Sequence, residues 1–164
     1  MTDTIQRLHP VARFTRTARG MRLAANAWPP LLFAGVRVEH IAADFRHVRV
    51  RLAKSPLTAN YFGTQFGGSM FAMTDPFWML MLTRNLGPGY TVWDRRGEIE
   101  FVRPGRTALT TEFTLTADAV GEIRAATADG EKALRWFGND ILDRDGALVA
   151  RTRKQVYIRR KPAG

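Results

Sequence analysis

Residues 67–86 read GGSMFAMTDPFWMLMLTRNL, the most apolar stretch of the chain, and they run into Gly87-Pro88-Gly89. Glycine opens the segment and Gly-Pro-Gly stops it, so the spacing predicts one long helix over 67–86. Polar residues interrupt it too seldom to give it a solvated face, and a helix of this kind is buried on nearly every side. Pro76 removes one backbone N–H and is expected to bend it. The longest uninterrupted apolar run, from Pro76 to Leu82, is far short of the roughly 20 residues needed to cross a bilayer. No membrane span is expected.

Upstream, TARGMRLAANAW at residues 17–28 is rich in helix formers and is stopped by Pro29-Pro30. Val36, Val38, Ile41, Ala43 and Phe45 alternate with polar residues, changing register near His40, and Val48, Val50 and Leu52 continue at period two. These read as two antiparallel strands. Downstream, Ile99 and Phe101, a turn at Pro104-Gly105, and then Leu109, Thr111, Phe113 and Leu115 read as a hairpin. Asp118 is the expected N-cap of a short helix running to about Ala128, closed by Asp129-Gly130. Residues 132–142 and 147–158 form a second hairpin around Asp143-Arg144-Asp145-Gly146. One buried helix with about six antiparallel strands excludes a doubly wound sheet, which needs helices between parallel strands. The fold class is α+β, a curved antiparallel sheet wrapped around the long helix, with a further helix near the N-terminus. The chain reads as one domain over 1–164, its core at about 16–158 and 1–15 a flexible segment.

The 164 residues suit one domain, and 45% hydrophobic content with 14 Gly and 8 Pro is ordinary globular composition. The absence of cysteine excludes disulfide scaffolds, thiol nucleophiles and cysteine metal sites, and with it goes the expectation of a reducing, cytoplasmic location. Three histidines offer little for a metal. The net charge of +10 is unevenly placed: residues 1–54 carry 10 basic and 3 acidic side chains, residues 55–150 carry 9 and 12, and residues 151–164 carry 6 and none. The middle of the chain is therefore mildly acidic, and the basic surplus belongs to the ends.

The chemistry is concentrated in Asn60-Tyr61-Phe62-Gly63-Thr64-Gln65-Phe66-Gly67-Gly68 and in Asp75. Gly67-Gly68 at a helix start lets a ligand approach free backbone N–H groups, where the helix dipole favours developing negative charge. A glycine pair there also serves simple packing. Asp75 is a lone carboxylate in an apolar helix, and its burial beside Met73, Phe77 and Trp78 would raise its pKa, the direction a general base needs.

The pattern Asn60-x-x-Gly63-Thr64-x-x-Gly67-Gly68, with Asp75 seven residues after the second glycine, resembles that of the hotdog-fold acyl-CoA thioesterases of the phenylacetate-pathway type. It looks closer still to their relatives grouped as domain of unknown function 4442. The motif covers 60–75, and the order of elements extends the resemblance over about 16–158. The resemblance implies a hotdog fold whose sites lie between two protomers, in a homodimer or a dimer of dimers. It implies that the Gly67 N–H polarises a thioester carbonyl, that Asp75, from the other protomer, activates or orients water, and that Asn60 positions the carbonyl or the water. Gly63, Thr64, Gln65, Phe66, Gly68, Phe71 and Trp78 would line the substrate site. Phe66 departs from the family pattern, which has His before the glycine pair, and Pro76, directly after Asp75, would re-aim its carboxylate. No cofactor is implied beyond coenzyme A as part of the substrate.

Arg103 and Arg106, flanking Pro104-Gly105, would suit the phosphates of coenzyme A, or form a solvated basic turn. Phe62, Phe66, Phe71, Phe77, Trp78 and Trp93 would suit an acyl tunnel, or core and dimer packing. A dehydratase of this fold would need a catalytic His near the central helix, and His9, His40 and His47 stand outside the motif. Two other functions compete with hydrolysis: an acyl-CoA or fatty-acyl binder without turnover, motivated by Phe66 and Pro76, and nucleic-acid binding by the basic ends. The second is the weaker, because Arg151, Arg153, Gln155, Tyr157 and Arg159 alternate as the solvent face of a strand would.

Overall fold

A computed structural model describes residues 14–162; the stretch 1–13, with His9 and most of the expected flexible start, lies outside them. Helix α1 (Ala18–Ala27) begins at Thr17, whose hydroxyl accepts a hydrogen bond from the Gly20 N–H at 3.1 Å. Pro29-Pro30 ends it as expected but also opens a second short helix, α2 (Pro29–Phe33). The first turn of a helix leaves its N–H groups unbonded, so proline costs nothing there. Strands β1 (Val36–Ile41) and β2 (His47–Leu52) pair antiparallel, and their register slips between Val38 and His40.

The segment 67–86 is helical in two pieces, α3 (Gly67–Ala72) and α4 (Phe77–Leu86). Pro76 has no N–H to continue the ladder, and the link closes by tighter bonds, Thr74 N–H to the Phe71 carbonyl at 3.0 Å and Asp75 N–H to that of Ala72 at 3.1 Å. Asp75 therefore stands in a break rather than on a continuous helix. Then follow β3 (Tyr90–Phe101), β4 (Leu109–Thr114), α5 (Ala117–Ala126), β5 (Lys132–Leu142) and β6 (Leu148–Arg160). The N-cap of α5 is Thr116, accepting from Ala119 N–H at 3.2 Å, and not Asp118, which falls inside the first turn.

The six strands form one antiparallel sheet in the order β1-β2-β4-β5-β6-β3. The expected β5–β6 hairpin is present, but the expected β3–β4 hairpin is not. Strand β3 pairs with β6 at one edge of the sheet, β4 pairs with β2 and β5 in the middle, and residues 102–108 cross between them. Pro104-Gly105 makes a local turn there without bringing the flanking strands together. The core holds Phe77, Met81 and Leu82 of α4 with Val48, Val50, Phe113, Ile141, Val156 and Ile158 of the sheet, all fully buried.

Curving around α4 separates β4 from β5, which share only the pairings Thr110 with Leu142 and Thr111 with Ile141. Side chains close the rest of the split. Asn139 on β5, 8% exposed, donates its amide to the Glu112 carbonyl of β4 and accepts from the Trp78 indole N–H at 2.6 Å. The Trp78 ring stacks on Phe137 at 4.6 Å and meets Phe113 edge-on at 5.5 Å. One amide thus stands in for missing ladder bonds and anchors the helix to the sheet. Asn139→Leu is expected to lower the unfolding free energy by about 2–4 kcal/mol in urea titration, because it strands a buried donor and a buried acceptor.

Candidate functional site

The loop before α3 is closed by Asn60. Its Oδ1 accepts from the N–H groups of Phe62 and Thr64, both at 3.0 Å, and its Nδ2 donates to Thr64 Oγ1 at 2.8 Å. The Asn60 N–H meets the Thr64 carbonyl at 2.8 Å, and Gly63 takes φ +72°, a conformation that favours glycine. Asparagine folding the following backbone onto its own side chain is a standard local motif. Gln65, 1% exposed, then ties the loop to the body: Nε2 donates to the carbonyls of Ala53 at 3.2 Å and Thr107 at 2.9 Å, and its N–H to that of Gly105 at 2.8 Å. Its Oε1 is buried without a partner.

Asn60, Thr64, Gln65 and Gly67 line one cavity of about 390 Å³, together with Met70 and the turn from Phe101 to Gly105. The start of α3 lies at this cavity, and Phe66 at its N-cap offers no side-chain bond to the first amides. Gly67 lies under the Phe101 ring: a Cβ there would stand 2.9 Å from the ring's far end, which would have to shift. Arg103 also borders the cavity, with its guanidinium held 2.8 Å from Asp143. Asp143 is kept below the usual carboxylate range first by the Ala147 N–H, which works against desolvation, and then by the Asp145 N–H, Arg103 and Arg144. Arg106 is exposed and pairs with no acid among the described residues.

The remaining expected residues lie elsewhere. Phe66, 55% exposed, borders a second cavity with Phe33, Leu57 and Gly68, on the other side of the α3 start. Trp78 is 4% exposed and belongs to the core. Asp75 does not line the Asn60–Gly67 cavity of its own chain; eight residues along a helical path separate it from Gly67, about 12 Å. Nor is Asp75 buried as expected: its side chain is 57% exposed, because the break at Pro76 turns it out of the apolar helix.

Asp75 has a partner that the sequence reading overlooked. Lys154 on β6, only 4% exposed, places Nζ 2.5 Å from Asp75 Oδ1 and 3.7 Å from Asp94 Oδ2 on β3. The same Nζ lies 4.4 Å from the centre of the Phe71 ring. Burial pushes the Asp94 carboxyl up, Lys154 pulls it down, and Asp75 adds to the rise. A signal for Lys154 was present in the strand alternation. It shares the phase of Thr152, Val156 and Ile158, which face the core, while Arg151, Arg153 and Arg159 occupy the solvent phase. Among the described residues no group of three or more His, Asp or Glu could hold a metal ion, and no helix is long and apolar enough to cross a membrane.

The family model described as Domain of unknown function (DUF4442) matches residues 17–158. Among solved structures, PA5026 of Pseudomonas aeruginosa, a protein of unknown function called a probable thioesterase, is 18% identical with a TM-score of 0.74, covering 85% of this chain and 93% of its own. The thioesterase HI1161 of Haemophilus influenzae is 15% identical with a TM-score of 0.66, covering 90% and 93%. A variant of the thioesterase PA1618 of Pseudomonas aeruginosa is 12% identical with a TM-score of 0.65, covering 90% and 97%. No curated protein matches the sequence. At these identities the neighbours establish the fold, which is the hotdog arrangement of a curved sheet around a central helix.

Asn60→Ala is expected to open the loop. Amide exchange at Phe62 and Thr64 should quicken about tenfold or more, equivalent to ~1.4 kcal/mol, while exchange in β5 and β6 stays unchanged.

Proposed function

The chain belongs to the DUF4442 family, and from that premise we propose that it is a thioesterase hydrolysing acyl-CoA or a related acyl thioester by direct attack of water. The observation that carries this reading is the single cavity bordered by Asn60, Thr64, Gln65 and Gly67 at the uncapped start of α3. In the proposed reaction the thioester carbonyl oxygen faces the Gly67 N–H, which stabilises the negative charge that grows there. A water oxygen bonds to the carbonyl carbon and passes one proton to the Asp75 carboxylate. Collapse of the tetrahedral intermediate breaks the carbon–sulfur bond and releases the carboxylic acid, and the thiolate takes the proton held by Asp75 to leave as coenzyme A thiol, restoring the carboxylate. A thiolate leaves readily, so a positioned base and an oxyanion donor suffice without a protein nucleophile. Asn60 has its polar atoms engaged in the loop and contributes by shaping the cavity.

Asp75 and Gly67 belong to different protomers in this proposal. Strand β3 has a free edge twelve residues long, with Trp93 and Phe101 exposed along it. Phe101 packs on Gly67, and Asp94 adjoins Asp75 through Lys154. Antiparallel pairing of two β3 strands, centred between Gly97 and Glu98, would set Phe101 opposite Asp94 of the partner subunit. Each Gly67 cavity would then face a carboxylate from the second chain. Arg103 and Arg106, at the cavity rim and beside it, are proposed to meet the phosphates of coenzyme A.

A binder without turnover is the second reading, favoured by Phe66, an apolar ring where the related thioesterases have a polar group. Thiol release from a panel of acyl-CoAs, against binding without release, separates the two. Asp75→Asn is expected to lower kcat by about 100-fold or more at unchanged dimer content, measured by thiol release and sedimentation. Unchanged hydrolysis by that variant would overturn the reading.

A further inference from the structure

We propose that Lys154 is a positioning residue for Asp75, pinning Oδ1 of the carboxylate so that Oδ2 is presented to water. The inference rests on the thioesterase reading above and adds to it a residue outside the motif. Lys154 meets Asp75 at 2.5 Å and is 4% exposed, whereas Asp75 is 57% exposed. Among the described residues the Asp75 side chain makes no other hydrogen bond or ion pair. One oxygen is therefore held from beneath by a fixed ammonium and the other is left to solvent. A carboxylate on a four-residue break would otherwise rotate freely, and a reacting group misplaced by about 1 Å can lose about a hundredfold in rate.

The surroundings are built to bring the ammonium to this place. In register, Lys154 stands between Gly97 of β3 and Phe137 of β5, so neither strand neighbour offers it a charge. A Cβ at position 97 would come 2.6 Å from the Phe71 ring and 3.3 Å from the Lys154 stem, so glycine is what leaves room for both. The Phe71 ring covers the ammonium, a favourable contact for a cation with an aromatic face. The second carboxylate is a poorer counter-ion: Asp94 is 3.7 Å away, and its Oδ1 is buried without a partner. Fold stability does not demand this arrangement, since buried ion pairs are commonly matched or exceeded by apolar side chains of similar volume. Methionine at 154 would fill the same space, yet the chain buries a lysine whose nearest contact is the exposed carboxylate.

The test is thiol release from a panel of acyl-CoAs by the full-length protein. Lys154→Met is expected to lower kcat about tenfold or more while KM stays within about threefold. Lys154→Arg, which retains the charge, should recover most of the rate. In the Asp75→Asn background Lys154→Met should cause no further loss, because the two side chains act as one unit. Lys154→Met also strands Asp94 beside no cation, so Lys154→Met/Asp94→Asn is measured with it and should remain as slow as Lys154→Met alone. Recovery of the wild-type rate in that double variant would make the loss a matter of folding and overturn the inference. So would a wild-type kcat in Lys154→Met, or an equal proportional loss in the presence and absence of Asp75. If Asp75→Asn loses activity and Lys154→Met does not, the inference alone fails. If the wild type releases no thiol from any substrate, the thioesterase reading fails and takes the inference with it.

Discussion

A helix that is apolar on nearly every side can be buried only by a surface that bends around it. The rest of this molecule follows from that constraint on α4. Strands keep their hydrogen bonds most easily in a gently twisted sheet, and wrapping one around a helix pulls β4 away from β5. Asn139 repairs the separation with one amide that reaches both the opposite strand and the helix. Because Trp78 is committed to that repair, it belongs to the architecture, and the cavity at the start of α3 is lined by residues of the loop and of α3 instead. The break at Pro76 is the second consequence. It frees Asp75 from the apolar helix and turns it toward the edge of the sheet.

Much of this was legible in the sequence, because the informative signals were local. The apolar run of 67–86, the slip near His40 and the Asp143–Gly146 hairpin each rest on neighbours in the chain, and each is found. Pairing between distant strands is another matter. Pro104-Gly105 has good turn chemistry, but the long alternating segment of β6 makes the better partner for β3, and a turn decides direction only over a few residues. Thr116 takes the cap in preference to Asp118 for a similar reason, since the entry of the chain from β4 fixes which side chain reaches back. At the candidate site Asn60, Thr64, Gln65 and Gly67 do converge on one cavity, whereas Phe66 and Gly68 border another. Lys154 stayed hidden because it lies in a strand crowded with cations, where only its phase distinguishes it. Asp75 was expected to be buried because helix periodicity was carried through a proline that ends it.

The basic surplus also reads differently once the strands are placed. Arg151 lies 3.9 Å from Glu100 and 3.6 Å from Asp140, and Arg153 lies 3.9 Å from Glu98. Toward the β1 end of the sheet Arg49 lies between Glu39 and Glu112, at 3.3 and 3.5 Å. Arg49, Arg151 and Arg153 therefore alternate with the acids of neighbouring strands, whereas, among the described residues, Arg159 and Arg160 at the end of β6 meet only the carbonyls of Gly130 and Ala128. Exposed ion pairs of this kind contribute little each to stability, but they offset the positive charge of Arg151 and Arg153 in the middle of β6.

The bulge in β3 at Asp94–Arg96 has a consequence for how two chains would recognise one another. Arg95 and Arg96 stand exposed side by side near the middle of the free edge. Two such edges paired about the arginines themselves would oppose like charges, an unfavourable arrangement in any antiparallel ladder. A centre two residues later, as in the dimer proposed above, would set Arg95 opposite Glu100 of the partner subunit. In such a dimer the arginine pair would act as a key that rejects the wrong alignment, and an edge otherwise open to any extended peptide would become selective for its own copy in one register.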